Sequence, residues 1–157
     1  MACWPWMPTP SPDVEHAGFR LVHPLRVRWA EVDRQGIVFN GNYLLYFDIG
    51  ITEYWRAIGC PYPEGLVEHG SDLFVRKATV EYHAPAHYDE LLDLCVRVEA
   101  IGRSSIRFAL GIFRGETLLV DGALVYVNAD PGVRASAPVP GFLRKAIAAY
   151  EGRSFET

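Results

Sequence analysis

The residues of this sequence best suited by type and spacing to do chemistry lie in the stretch EVDRQGIVFNGNY, between Glu31 and Tyr43. Asp33 ends an apolar run, Gly36 follows in a turn-rich segment, and Asn40 and Asn42 stand where a helical pattern opens at Tyr43. The start of a helix leaves backbone N–H groups without partners, and these carry partial positive charge. A carboxylate beside such an end could attack an electrophilic carbonyl carbon, or direct water at it. The amides would meanwhile hold the charge developing on the oxygen. Gly36 would let the backbone come close with no side chain in the way. Local chemistry alone favours a plainer reading, in which Asp33 is a turn carboxylate and Asn40 and Asn42 are N-caps.

Two further groups are candidates. Asp48 lies one turn into the helix, beside its apolar stripe, where it could pair with an arginine or touch a bound group. Arg103, Ser104 and Ser105 occupy a turn between alternating segments, where a lone arginine is either solvated or available to an anion. Arg76, Lys77, Arg144 and Lys145 are weaker anion candidates. His16, His23, His69, His83 and His87 show no metal-ligand spacing.

The elements that must position these residues follow from periodicity. Leu25 to Ala30 reads as a short strand with Leu25, Val27 and Trp29 on one face. From Tyr43 the period becomes helical, with Leu44, Phe47, Ile51, Tyr54, Trp55 and Ile58 on one stripe, and Gly59 with Pro61 ends it. Ala78, Val80 and Tyr82 alternate with polar residues, as do Leu92, Leu94, Val96 and Val98, then Ile106, Phe108, Leu110 and Ile112. A longer strand from Thr117 to Val127 ends near Asp130, and a short helix runs from Phe142 to Tyr150. One helix followed by four turn-linked strands predicts an α+β architecture, the helix laid on the inner face of the sheet.

A chain of 157 residues and net charge −4, with no basic block, fits one domain over residues 21–157 and argues against a nucleic-acid partner. No apolar run approaches the roughly 20 residues a membrane span needs. Residues 1–20 read as a mobile tail, too poor in apolar groups beyond Trp4 and Trp6 to build a core. Cys3, Cys60 and Cys95 form neither a disulfide framework nor a zinc pattern, so a reducing cytoplasm is the expected compartment.

The segment VRWAEVDRQGIVFNGNYLLYFDIGITEYWRAIG resembles the 4-hydroxybenzoyl-CoA thioesterase family of hotdog proteins. The shared pattern is a strand, Asp33, a short run containing Gly36, the hydrophobic pair Ile37-Val38, and Asn42-Tyr43 opening an aromatic helix that ends in Arg56 to Gly59. Pro85 to Glu90 looks like the family's turn before its third strand. The resemblance covers about Leu25 to Asp130. It implies a hotdog fold, with a curled antiparallel sheet around one long helix, and hydrolysis of an acyl-CoA thioester to free acid and coenzyme A. Asp33 would be nucleophile or general base, and the amide at Asn40 would polarise the carbonyl. Gly36, Ile37, Val38, Asn42 and Tyr43 would line the site. Arg103, Ser104 and Ser105 would meet pantetheine and phosphate, and Asp48 would reach the acyl group from a partner subunit. No metal or cofactor is implied, since coenzyme A belongs to the substrate, and a homodimer or homotetramer would form the cleft. The sequence departs from the pattern at Asn40: the branch found near the Tol–Pal genes carries His there, and the 4-hydroxybenzoyl-CoA branch an aromatic. The alternatives are a hotdog hydratase, which would need a His–acid pair not evident at the helix start, and a non-catalytic acyl-CoA-binding protein.

Overall fold

The structure is a computed structural model and describes residues 14–155; Cys3, Trp4 and Trp6 lie outside them. The helical stripe forms α1 (Asn42–Ala57), followed by the single turn α2 (Glu64–Val67), and α3 (Gly141–Glu151) closes the chain. The alternating segments form β1 (Leu21–Arg26), β2 (Asp72–Tyr82), β3 (Leu91–Ile101), β4 (Ser105–Arg114) and β5 (Thr117–Asp130), with the short β6 (Ala135–Ser136) beside β5. All pairings are antiparallel, in the order β1-β3-β4-β5-β2, which leaves β1 and β2 as edges.

The inner face is set by period two. Leu92, Leu94, Val96 and Val98 of β3 and Ile106, Phe108, Leu110 and Ile112 of β4 are all buried against α1. Two glycines let the helix lie close. A Cβ on Gly50 would stand 2.8 Å from Val96 Cγ2, and one on Gly122 would stand 2.2 Å from the Thr79 carbonyl and 2.7 Å from the Phe47 ring. Around Tyr54 the rings of Trp55, Phe108 and Tyr150 pack edge-on, with centroids 5.9, 5.5 and 5.4 Å away. This is the hotdog arrangement that the resemblance implies.

Four expectations are corrected. The first strand is Leu21–Arg26, and a 3-10 turn at Trp29–Glu31 leaves Trp29 72% exposed, off the face assigned to it. β2 begins at Asp72, well before Ala78. On α1, Leu44 is exposed, while Tyr43 and Tyr46 are buried. The tail does not extend to residue 20. Phe19 is buried on the outer face against Cys95, Phe113 and Leu118; Arg97 donates to the Gly18 carbonyl at 3.1 Å; and His16 contacts Asp93 at 3.0 Å.

Candidate active site

Asp33 begins a tight turn. The Gly36 N–H donates to the Asp33 carbonyl (2.9 Å), the Asp33 N–H donates to Ile37 (2.9 Å), and Asp33 Oδ1 accepts the Gln35 N–H at 2.7 Å. This is a short hairpin loop with an Asx turn at its first residue, and Gly36 supplies the required φ of +76°. A Cβ there would meet nothing within 4 Å. Gly36 therefore serves the backbone conformation of the turn, and the space beside it is open. Asp33 Oδ2 has no hydrogen-bond partner among the described residues.

The loop is pinned on both sides. Val32 bridges Val38, Ile37 bridges His87, and the Val38 N–H donates to Ala86 at 2.9 Å. Behind Ala86, its own N–H donates to the Tyr43 hydroxyl at 3.1 Å, and Arg114 donates to the Pro85 carbonyl at 3.3 Å while gripping Glu90. Burial alone would raise the Glu90 carboxyl. Donors from the His87 backbone and Arg114 outweigh it and hold Glu90 below the usual range.

At the head of α1, Gly41 is the cap residue, and neither asparagine caps with its side chain. Asn42 turns instead toward the Asp33 loop, its Nδ2 donating to the Glu31 carbonyl at 2.8 Å. The Tyr43 N–H turns back to the Asn40 carbonyl at 3.4 Å, and Tyr82 donates to the same oxygen at 3.1 Å. The N–H groups of Asn40 and Gly41, and the Asn40 side-chain amide, have no partner among the described residues. Free donors thus collect at the start of the helix, where its dipole is positive.

These features meet in one open cleft of about 340 Å³. Asp33, Ile37, Val38, Asn40 and Tyr43 line it, joined by Gln35, Tyr82, Ala84 and Pro85. Tyr82 lies edge-on to Tyr43, with ring centroids 5.6 Å apart. Gly36 and Asn42 frame the cleft without lining it.

The remaining candidates lie elsewhere within the protomer. Asp48 opens onto a separate cavity of about 250 Å³, with Trp55, Tyr62 and Tyr126 among its walls. Burial, with Asp48 nearby, pushes the Tyr126 hydroxyl up to about 12. Arg103, Ser104 and Ser105 form the β3–β4 turn, which is latched by Val139 on the Arg103 carbonyl and by Asn128 on Ser104. Ser105 begins the strand that ends at Arg114, next to Pro85. At ~3.3 Å per residue the turn lies about 30 Å from the cleft along that strand.

Among the described residues, one group has the composition of a metal site: Glu81, His83 and Asp121, whose donor atoms lie within 4.8 Å of one another. It sits on the outer face, where Glu81 and Asp121 border a groove with Arg97 and Arg107. His83 Nε2 contacts the Asp121 carboxylate, and His83 Nδ1 is buried with no partner. A metal on Nε2 would strand a buried Nδ1–H without the acceptor such ligands need. The set therefore fits a His–Asp contact better than a metal centre.

Residues 35–120 match the thioesterase superfamily, more than half of the chain. The chain belongs to that superfamily. The acyl-CoA thioester hydrolase YbgC of Escherichia coli is 30% identical over 109 residues, covering 69% of this chain and 81% of that protein. The acyl-CoA thioesterase YbgC of Haemophilus influenzae is 29% identical over 124 residues, covering 79% of this chain and 91% of the relative. A Thermus thermophilus thioesterase solved with coenzyme A and zinc superposes with a TM-score of 0.77 at 28% identity, covering 88% of this chain and 98% of that one.

For this thioesterase-superfamily member, reading the sequence alone missed four wall residues, Gln35, Tyr82, Ala84 and Pro85, and one support. Tyr82, Ala84 and Pro85 come from the end of β2 and beyond, a connection that spacing along the chain does not reveal. Glu31 was the other omission. Its carboxylate is buried and accepts the Tyr46 hydroxyl (2.7 Å), the Arg28 N–H (2.8 Å) and the Arg28 guanidinium (2.9 and 2.6 Å). Burial would raise this carboxyl, yet the donors of Arg28 and Tyr46 prevail and lower it. The Arg28-x-x-Glu31 spacing was the available signal.

Proposed function

We propose that this thioesterase hydrolyses acyl-CoA thioesters to free acid and coenzyme A, with Asp33 as nucleophile or general base. The backbone amide at Asn40 and Gly41 would polarise the carbonyl. One observation carries this reading: a carboxylate with a free oxygen and a helix head with free N–H groups share a single cleft. Sulfur lends little resonance to the neighbouring carbonyl, so a thioester needs only these two aids. The carboxylate supplies attack or a deprotonated water, and the amides stabilise the oxyanion where it forms. The E. coli and H. influenzae relatives, acyl-CoA thioester hydrolases by name, support coenzyme A as the thiol carrier. The Asp33 to Tyr43 pattern supports kinship with the 4-hydroxybenzoyl-CoA thioesterase family, and Asn40 departs from both of its branches.

Purified protein should release free thiol, read with a thiol reagent, from at least one of a panel of aryl- and alkyl-CoAs. If every CoA and acyl-carrier thioester survives, the reading is wrong. Water addition to an enoyl-CoA, or calorimetric CoA binding without turnover, would instead support the hydratase or the non-catalytic binder.

The working form is a homodimer or homotetramer in the cytoplasm. β2 is an open edge carrying exposed Phe74 and Val75, a surface that soluble monomers rarely leave uncovered. A second copy would also bring Asp48 and the Arg103–Ser105 turn, which one protomer cannot, toward the Asp33 cleft. Light scattering at micromolar concentration is expected to give at least twice the protomer mass. A monomeric mass would remove the shared-site arrangement.

A further inference from the structure

Among the described residues Glu31 is the one carboxylate that is buried, and its links other than those to Arg28 join the Asp33 loop to the helix head. Its side chain holds Tyr46, a turn inside α1. Its carbonyl accepts both the Phe39 N–H at 2.9 Å and Asn42 Nδ2 at 2.8 Å, on either side of the free amides. Only Val32 separates it from Asp33, and Val32 is itself bridged to Val38. Stability alone is a poor reason for this arrangement. The Arg28 side chain is 77% exposed, where an ion pair adds little, and apolar packing commonly serves a buried site as well as a buried charge does.

We propose that Glu31 is a positioning residue for hydrolysis: through Tyr46, Phe39 and Asn42 it fixes how far the Asp33 carboxylate stands from the oxyanion amides. The inference rests on the reading that Asp33 is the reacting carboxylate. Misplacing such a pair by about 1 Å can cost on the order of a hundredfold in rate without unfolding the protein. Glu31 does not line the cleft, so its effect must pass through the spacing between Asp33 and the amides.

Two variants test this in the full chain, with an acyl-CoA that the wild type turns over. Glu31→Gln keeps the shape but presents N–H groups toward the Arg28 donors. Tyr46→Phe removes only the tie to α1 and leaves Glu31 its Arg28 partners. Each is expected to lower kcat about tenfold or more while KM stays within about threefold. In an Asp33→Asn background, assayed at high enzyme concentration, neither should lower the residual rate further. Wild-type kcat in either variant, or losses that multiply with Asp33→Asn, would overturn the inference. If Glu31→Gln fails to fold, Tyr46→Phe decides alone. An inactive Asp33→Asn beside fully active Glu31→Gln and Tyr46→Phe overturns the positioning role and spares the active-site reading. A fully active Asp33→Asn removes both.

Discussion

Asp33→Asn is expected to lower kcat/KM for acyl-CoA hydrolysis by about a hundredfold or more, equivalent to ~3 kcal/mol of barrier. The substitution is selective. The carboxamide oxygen can still accept the Gln35 N–H, so the turn that presents residue 33 survives, and Gly36 keeps its φ of +76°. What disappears is the negative charge and the free Oδ2, on which both mechanistic variants depend. Asp33 is half-buried and packs no core, so the change in stability should stay within about 0.5 kcal/mol. Thermal melts and initial rates on the same preparation separate the two quantities. A variant within about threefold of the wild-type rate would show that another group does the chemistry.

What the sequence revealed, and what it hid, has a physical pattern. Periodicity exposed β3 and β4, because Leu92 to Val98 and Ile106 to Ile112 each turn one face to α1 and the register shifts fall only after those runs. It located α1 and its end, since Gly59 takes φ +78° after the last turn. It failed where burial depends on a partner distant in sequence. Tyr43 and Tyr46 fall outside the stripe assigned from periodicity, yet the Ala86 N–H and the Glu31 carboxylate meet their hydroxyls and make burial tolerable. Glu31 itself carries no burial signal until Tyr46, fifteen positions on, is folded beside it. Asn40 and Asn42 suit an N-cap by type, but Gly41 takes that position and frees Asn42 to tie down the loop. Of the site, the sequence held Asp33, Ile37, Val38, Asn40 and Tyr43, one contiguous segment. Tyr82, Ala84 and Pro85 were hidden because they reach the cleft through sheet topology.

The depth at which α1 sits depends on Gly122. Substitution there is expected to be the most damaging single change outside the site. A Cβ on Gly122 would stand 2.2 Å from the Thr79 carbonyl oxygen, on the neighbouring strand, and 2.7 Å from Phe47 on α1. The first contact is with backbone, in the middle of the β2–β5 pairing, so it cannot be relieved by a rotamer change. The second pushes the helix off the sheet. Overpacking of this kind costs about 1–3 kcal/mol when side chains can yield, and more when backbone must shift. Gly122→Ala should therefore lose about 3 kcal/mol, or roughly 6–12 °C in melting temperature for a domain of this size. Gly122→Val should not accumulate as soluble protein. Because Phe47 belongs to the helix whose head presents the free amides, the Ala variant should also lose activity at temperatures where it remains folded. A Gly122→Ala protein that melts with the wild type would mean that β2 and β5 can spread at no cost. Gly122 would then not be what holds the helix head at the height of Asp33.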